Sequence, residues 1–299
     1  MRVPSVLAAV CVAILAAAPA IVLADAKAGP VVATLPSTPH RGMPRVNIML
    51  NGKGPYAFAI DTGAPGRLII DPKVVAELGL PKVGEEMMSD GSENNQYPAP
   101  VYRIDSLTFG TRTFSSLTGV AVDMGRWGAT VSGMFGMEVF KDHVLVLDYA
   151  ADRVSIEEGP LPPADGISRF DVAIRPDGMI ELPLTVAGQA VKAVLDTGNT
   201  IKSGFSAPDG LAAKLRRDEG VVSGTARTVT NTITLRTAGL AGPVTLGPNT
   251  LPVTEVNYPT PGGFEAILGS AALAGARLKV DQRSRRIEIS WPSAKPASK

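Results

Sequence analysis

Cysteine is nearly missing from this chain. The only one among 299 residues is Cys11, and it lies inside an apolar N-terminal run. Once that run is removed, neither a disulfide framework nor a thiol nucleophile remains. Histidine is almost as scarce. His40 and His143 are the only two, and neither sits in a visible Ser or Asp constellation. A serine-type triad and a zinc site both lose their usual ligands and bases. Aromatics make up 5% of the chain, which leaves few platforms for stacking sugars or bases. The net charge is +1 and no basic cluster with interleaved aromatics appears, so nucleic acid is not an expected partner. No phosphate-binding loop of the usual Gly-rich, Lys-Ser/Thr spacing is present. Beyond residue 23 no apolar run is long enough to span a bilayer.

Gly (31) and Pro (25) are frequent, and charged residues are only 19% against 45% hydrophobic. That balance suits a turn-rich, mainly β protein with a sizeable core. The N-terminus reads as a targeting segment, residues 1–26. Arg2 supplies the positive end, Val6 to Leu23 the Ala-rich apolar stretch, and Val22-Leu23-Ala24 or Ala24-Asp25-Ala26 a small-residue cleavage site. Export to a periplasm or beyond the cell is expected. Retention of the segment as an anchor is the alternative. Residues 27–42, rich in Pro, Ala and Thr, are expected to form an exposed leader.

The rest of the chain says the same thing twice. Val46, Ile48 and Leu50 alternate, a turn follows at Asn51-Gly52, and Tyr56, Phe58 and Ile60 run into Asp61-Thr62-Gly63. In the second half Ile180, Leu182, Leu184 and Val186 alternate. A turn follows at Ala187-Gly188, and Val191, Ala193 and Leu195 run into Asp196-Thr197-Gly198. A short helix is expected after each triplet. The first has Asp71 as N-cap, Pro72 at the first position and Gly79 at its end. The second opens near Pro208-Asp209 and runs through Leu215. Late in each half the match tightens. Met134-Phe135-Gly136 answers Ile267-Leu268-Gly269, and Asp148 to Ile156 lies against Asp281 to Ile289 without a gap. Duplication of one β-rich unit accounts for this. The expected organisation is a first lobe at 43–158, a Pro-rich linker at 159–177, a second lobe at 178–291 and a tail at 292–299. Asp148, Asp281, Arg153 and Arg286 also recur, and read as structural turn and strand residues.

A carboxylate at the same point of two copies of one unit is a means of bringing two acids face to face. Two such carboxyls cannot both ionise, so the pair keeps one proton. The ionised member then activates water as a general base and the protonated member donates toward a carbonyl. A single Asp-Thr-Gly is more often a simple turn. Two in register, each with a matching later segment, are not well explained that way.

These motifs resemble the aspartic peptidase superfamily, its retropepsin-like branch in particular, over about Val46 to Ile289. The resemblance implies a bilobal acid-protease fold of two retropepsin-like β-barrel lobes with short helices. It implies an endopeptidase with Asp61 and Asp196 as the catalytic pair and no metal or cofactor. The site would be supported by Thr62, Gly63, Ala64, Thr197, Gly198 and Asn199, the threonines gripping the opposing loop. A hairpin flap over an extended polypeptide substrate is implied from the first lobe, its candidates being Asp90, Gly91 and Tyr97. Two lobes in one chain remove the need to dimerise, so a monomer is expected. The sequence departs from the family at Asn199, where Ser, Thr or Ala is usual. Ala64 fits the family but lacks a side-chain donor, so the pair should be harder to ionise and the working pH mildly acidic to near neutral. Two rivals stand beside this reading: a catalytically inactive peptide-binding protein on the same fold, favoured by Asn199, and a two-carboxylate glycosidase, which the scarcity of aromatics disfavours.

Overall fold

A computed structural model describes residues 29–64, 66–89, 96–127, 131–227, 232–260 and 265–291. The expected targeting segment, the tail and the flap candidates Asp90 and Gly91 lie outside those residues.

The protein is mainly β and is built as two barrel-like lobes joined by a shared sheet. In the first lobe six strands close a ring. Their order is Arg45–Leu50, Lys53–Ile60, Gly133–Phe135, Leu68–Ile70, Arg112–Ala121 and Gln96–Phe109, and the last returns to the first through Met49↔Thr108 and Leu50↔Leu107. Closure removes the open edges that would otherwise invite pairing with other chains. Alternation in the sequence sets which residues face inward: Val46, Ile48 and Leu50 are buried, and so are Tyr56, Phe58 and Ile60. The core centres on four phenylalanines. Phe135 stacks edge-on against Phe58 (5.5 Å) and Phe109 (6.1 Å) and lies tilted 5.2 Å from Phe140.

The second lobe repeats the ring with two of its strands broken, the counterpart of Arg112–Ala121 being split into Asn249–Thr250 and Glu255–Thr260. The strand corresponding to Gln96–Phe109 is broken into Thr232–Gly239 and Val244–Leu246. Pro243, which has no N–H to give a ladder, and Gly242 fall in the break. The first piece pairs with Glu255–Thr260 and the second with Ile180–Val186, so the two together complete the ring.

Both helices form where the sequence places them. Asp71 caps Pro72–Leu78 by accepting from the Lys73 N–H (2.9 Å), and Gly79 ends it with a left-handed φ of 59°. The second helix is Asp209–Leu215.

A six-stranded sheet ties the lobes together. Its order is Val31–Pro36, Arg153–Glu157, Val144–Asp148, Arg277–Asp281, Arg286–Ser290 and Arg169–Asp171. The central contact is self-complementary: Leu147 faces Leu278, and Leu145 faces Val280. That reciprocity is the mark of a two-fold axis. This sheet corrects two expectations. Residues 31–36 are not an exposed leader but an edge strand, with Ala33 only 3% exposed. The 159–177 segment is not wholly a linker, because Arg169–Asp171 pairs with the last strand and Ala173–Ile174 with Ile180–Glu181. The two segments are copies of each other: Thr34 faces Ser155 in one lobe as Arg169 faces Glu288 in the other. Proline-rich composition disguised both, and proline is tolerated at a sheet edge, where its missing N–H breaks no ladder.

The recurring acids are structural, as expected. Asp281 is fully buried and accepts from the Leu161 N–H (2.8 Å), the Ser284 hydroxyl (2.7 Å) and Arg283. These bonds hold its carboxyl below the ordinary range against the opposing effect of burial, and tie the inter-lobe connection to the sheet. Asp148 closes its own turn through the Ala151 N–H (2.9 Å), and Arg286 bonds Asp171 (3.1 Å).

Candidate active site

Each Asp-Thr-Gly loop leaves the end of an interior strand. Lys53–Ile60 runs parallel to Gly133–Phe135, with Ile60 beside Phe135. Gln189–Asp196 runs parallel to Ile267–Gly269, with Asp196 beside Gly269. The late hydrophobic-hydrophobic-Gly segment is therefore the strand that flanks each acid. Its glycine allows close approach of backbone. A side chain on Gly136 would strike the carbonyls of Gly66 and Arg67, and one on Gly269 the Asn199 carbonyl (2.5 Å). Backbone bonds complete the brace: Met137 N–H to the Ala64 carbonyl (2.8 Å), and Ser270 N–H to the Asn199 carbonyl (3.0 Å).

The two loops meet. Asp61 and Asp196 are within hydrogen-bonding reach of each other. The Thr62 N–H donates to the Thr197 hydroxyl (3.0 Å), and that hydroxyl donates to the Ile60 carbonyl (2.8 Å). Thr197 N–H donates to the Thr62 hydroxyl (3.0 Å), which donates to the Leu195 carbonyl (2.8 Å). Both threonines are fully buried. Thus two residues 135 positions apart exchange two bonds with each other, and each donates one more to the strand of the opposite lobe.

The glycines of the triplets face the opposite acid. A Cβ on Gly63 would lie 2.5 Å from the Asp196 carboxyl, and one on Gly198 2.5 Å from that of Asp61. Their amides supply donors. Gly63 N–H bonds Asp61 (2.8 Å), and the Gly198 and Ala64 amides also serve Asp61. Asn199 N–H bonds Asp196 (2.9 Å), with Gly198 assisting. Asn199 is therefore less of a departure than its identity suggests. Its backbone serves the acid, while its side-chain carbonyl turns away to accept from the Ile201 N–H (3.1 Å).

Burial raises both carboxyls from their ordinary range. Asp196 rises further, pushed by the negative charge of Asp61 as well as by desolvation. The arrangement can hold a single proton between two acids.

Tyr97, a flap candidate, stands on Gln96–Phe109, opposite Met88 of the Lys82–Ser89 strand. It is half-buried and packs on a second apolar cluster that includes Met43, Ala99, Met124 and Met134. The hairpin expected for the flap is thus present up to its turn. The second lobe carries an equivalent hairpin, Val221–Arg227 with Thr232–Gly239, which the sequence reading missed. Its composition is Thr-rich and unremarkable, and only its pairing order reveals it as the copy of Lys82–Ser89.

Paired Asp-Thr-Gly loops on a two-fold β scaffold define the aspartic-peptidase class of site. The family comparison agrees for the first lobe: residues 46–139 match the model of an aspartyl protease family, of the retropepsin-like type. No curated protein matches the chain. Equivalence of the second lobe to the first rests on the shared strand order and the reciprocal threonine bonds. Among the described residues no helix is long and apolar enough to cross a membrane.

Proposed function

We propose that the protein is an aspartic endopeptidase, with Asp61 and Asp196 as its catalytic pair. The observation that carries this is the close approach of two carboxyls raised by burial, each fed by backbone amides, on loops locked by Thr62 and Thr197. The ionised member takes a proton from water, and the water oxygen attacks the peptide carbonyl carbon. The protonated member gives its proton to the carbonyl oxygen, forming a neutral diol. Collapse of the diol expels the amine, which takes up a proton from the pair. Roles belong to the pair and not to either acid.

The substrate is an extended polypeptide between the two hairpins, recognised by backbone pairing and by apolar subsites. The N-terminal segment points to an exported enzyme that acts on periplasmic or secreted chains as a monomer. Incubation of the mature protein with an unfolded polypeptide, with and without a statine-type analogue of the diol, tests the reading. Cleavage blocked by the analogue supports it. Tight binding of the analogue without any cleavage would make the protein an inert peptide binder instead.

A further inference from the structure

The two Asp-Thr-Gly loops are held differently from behind. Ser270 follows Gly269 and is 1% exposed. Its hydroxyl donates to the Thr197 carbonyl, and its backbone N–H donates to the Asn199 carbonyl (3.0 Å). One residue thereby binds two carbonyls of the loop that carries the second acid. The Thr197 carbonyl and the Gly198 N–H belong to one planar trans peptide and point in opposite directions. Fixing the carbonyl at the rear of the loop fixes the amide at its front. Gly198 stands directly against the acids, a Cβ there lying 2.5 Å from the Asp61 carboxyl, and its amide is among the groups that oppose the rise of both carboxyls.

In the first lobe Met137 takes the corresponding place after Gly136. Its N–H repeats the backbone bond, to the Ala64 carbonyl (2.8 Å), but its thioether has no proton to donate. The environment of the two positions differs as well. Gln282 crosses from the second lobe and donates to the Met137 carbonyl (2.7 Å). Tyr149, its counterpart after Asp148, crosses from the first lobe toward Ser270. The Tyr149 phenol is buried there without a well-aligned hydrogen bond of its own.

We propose that Ser270 is a positioning residue for the acid pair, holding the Thr197–Gly198 peptide so that its amide points at the two carboxyls. The site is then asymmetric by construction, with its shared amide clamped on the second-lobe side. The titratable groups at this contact are Asp61, Asp196 and Tyr149. The effect on turnover rests on the peptidase reading above, whereas the effect on the carboxyls does not.

Ser270→Ala is compared with wild type, with Ser270→Thr, and with Glu157→Gln as a destabilised control remote from the pair. Two readouts are taken: kcat and KM against pH on an unfolded polypeptide, and the titration of 13C-labelled aspartate carboxyls without substrate. For Ser270→Ala, kcat should fall roughly tenfold to a hundredfold with KM little changed. Fewer aligned donors stabilise the charged form less. The pair's titration and the acidic limb of the profile should therefore move to higher pH, by up to about one unit. Ser270→Thr should restore both. If the alanine variant does not fold, Ser270→Cys, a weak donor of similar size, replaces it. A lower melting temperature with an unmoved carboxyl titration would overturn the proposal, as would an equal shift in Glu157→Gln. If wild type cleaves nothing, the peptidase reading falls, and the carboxyl titration still decides the role of Ser270.

Discussion

Thr62 and Thr197 each accept a hydrogen bond from the other's backbone N–H and donate one to the strand that enters the other's loop. Neither loop is complete without the other lobe. Replacing Thr62 with Val keeps the volume and removes the hydroxyl. The Leu195 carbonyl and the Thr197 N–H are then left buried without a partner, at about 1–3 kcal/mol for each unsatisfied group. Urea unfolding of Thr62→Val and Thr197→Val should show losses in that range. The double variant should lose less than the sum, because the two share one network. Strict additivity would mean that the bonds act independently.

The glycines facing the acids allow a sharper prediction. Gly198→Ala places a methyl carbon against the Asp61 carboxyl, and Gly63→Ala does the same to Asp196. Each should abolish hydrolysis while the far-ultraviolet circular dichroism stays that of a folded β protein. Retained activity in either would show that the loops stand further apart than described.

The raised carboxyls link activity and stability to pH. A carboxyl whose pKa is higher folded than unfolded favours the fold fully below its unfolded value, near 3.8. That contribution is lost as pH rises through the folded value. Asp196→Asn removes the titration. Its melting temperature should therefore exceed that of wild type at neutral pH, with the difference shrinking as pH falls through the raised folded value and gone below about 4. An equal difference at both pH values would contradict the assigned shift. The same upward shift should place optimal activity at mildly acidic to near-neutral pH. A maximum at strongly acidic pH, checked by kcat/KM against pH, would count against it.

Across the central sheet, Glu157 of the first lobe meets Lys279 of the second at 2.8 Å, both nearly fully buried, with Arg277 at 3.2 Å. Lys279→Met strips the buried carboxylate of its closest partner and should cost about 3–5 kcal/mol, read by urea unfolding. Replacing the pair together by Leu and Met should recover most of that loss, since the desolvation of both charges goes with them. If it did not, the ion pair would be a net source of stability in this sheet.

Much of this fold was legible because duplication writes each feature twice. The triplets, their flanking Gly136 and Gly269 strands, the Asp71 cap and the Asp209–Leu215 helix all follow from local pattern. Other parts needed the three-dimensional pairing. Val31–Pro36 and Arg169–Asp171 are short edge strands among prolines, so composition pointed to a leader and a linker. The second hairpin has no sequence landmark beyond its place in the strand order. Ser270 is one serine after a glycine, and its meaning appears only when the fold sets its hydroxyl on the Thr197 carbonyl. Asn199 departs from the family in its side chain, a departure that favours the inactive-binder alternative, while its backbone amide still bonds Asp196.

The proposed chemistry requires the two acids to act as one group. The most direct test is the kcat/KM of Asp61→Asn and of Asp196→Asn, each purified and shown to be folded, on an unfolded polypeptide that wild type cleaves. Either substitution alone should abolish cleavage, and the double variant should be no worse than the singles. Full activity in either single variant would contradict that chemistry.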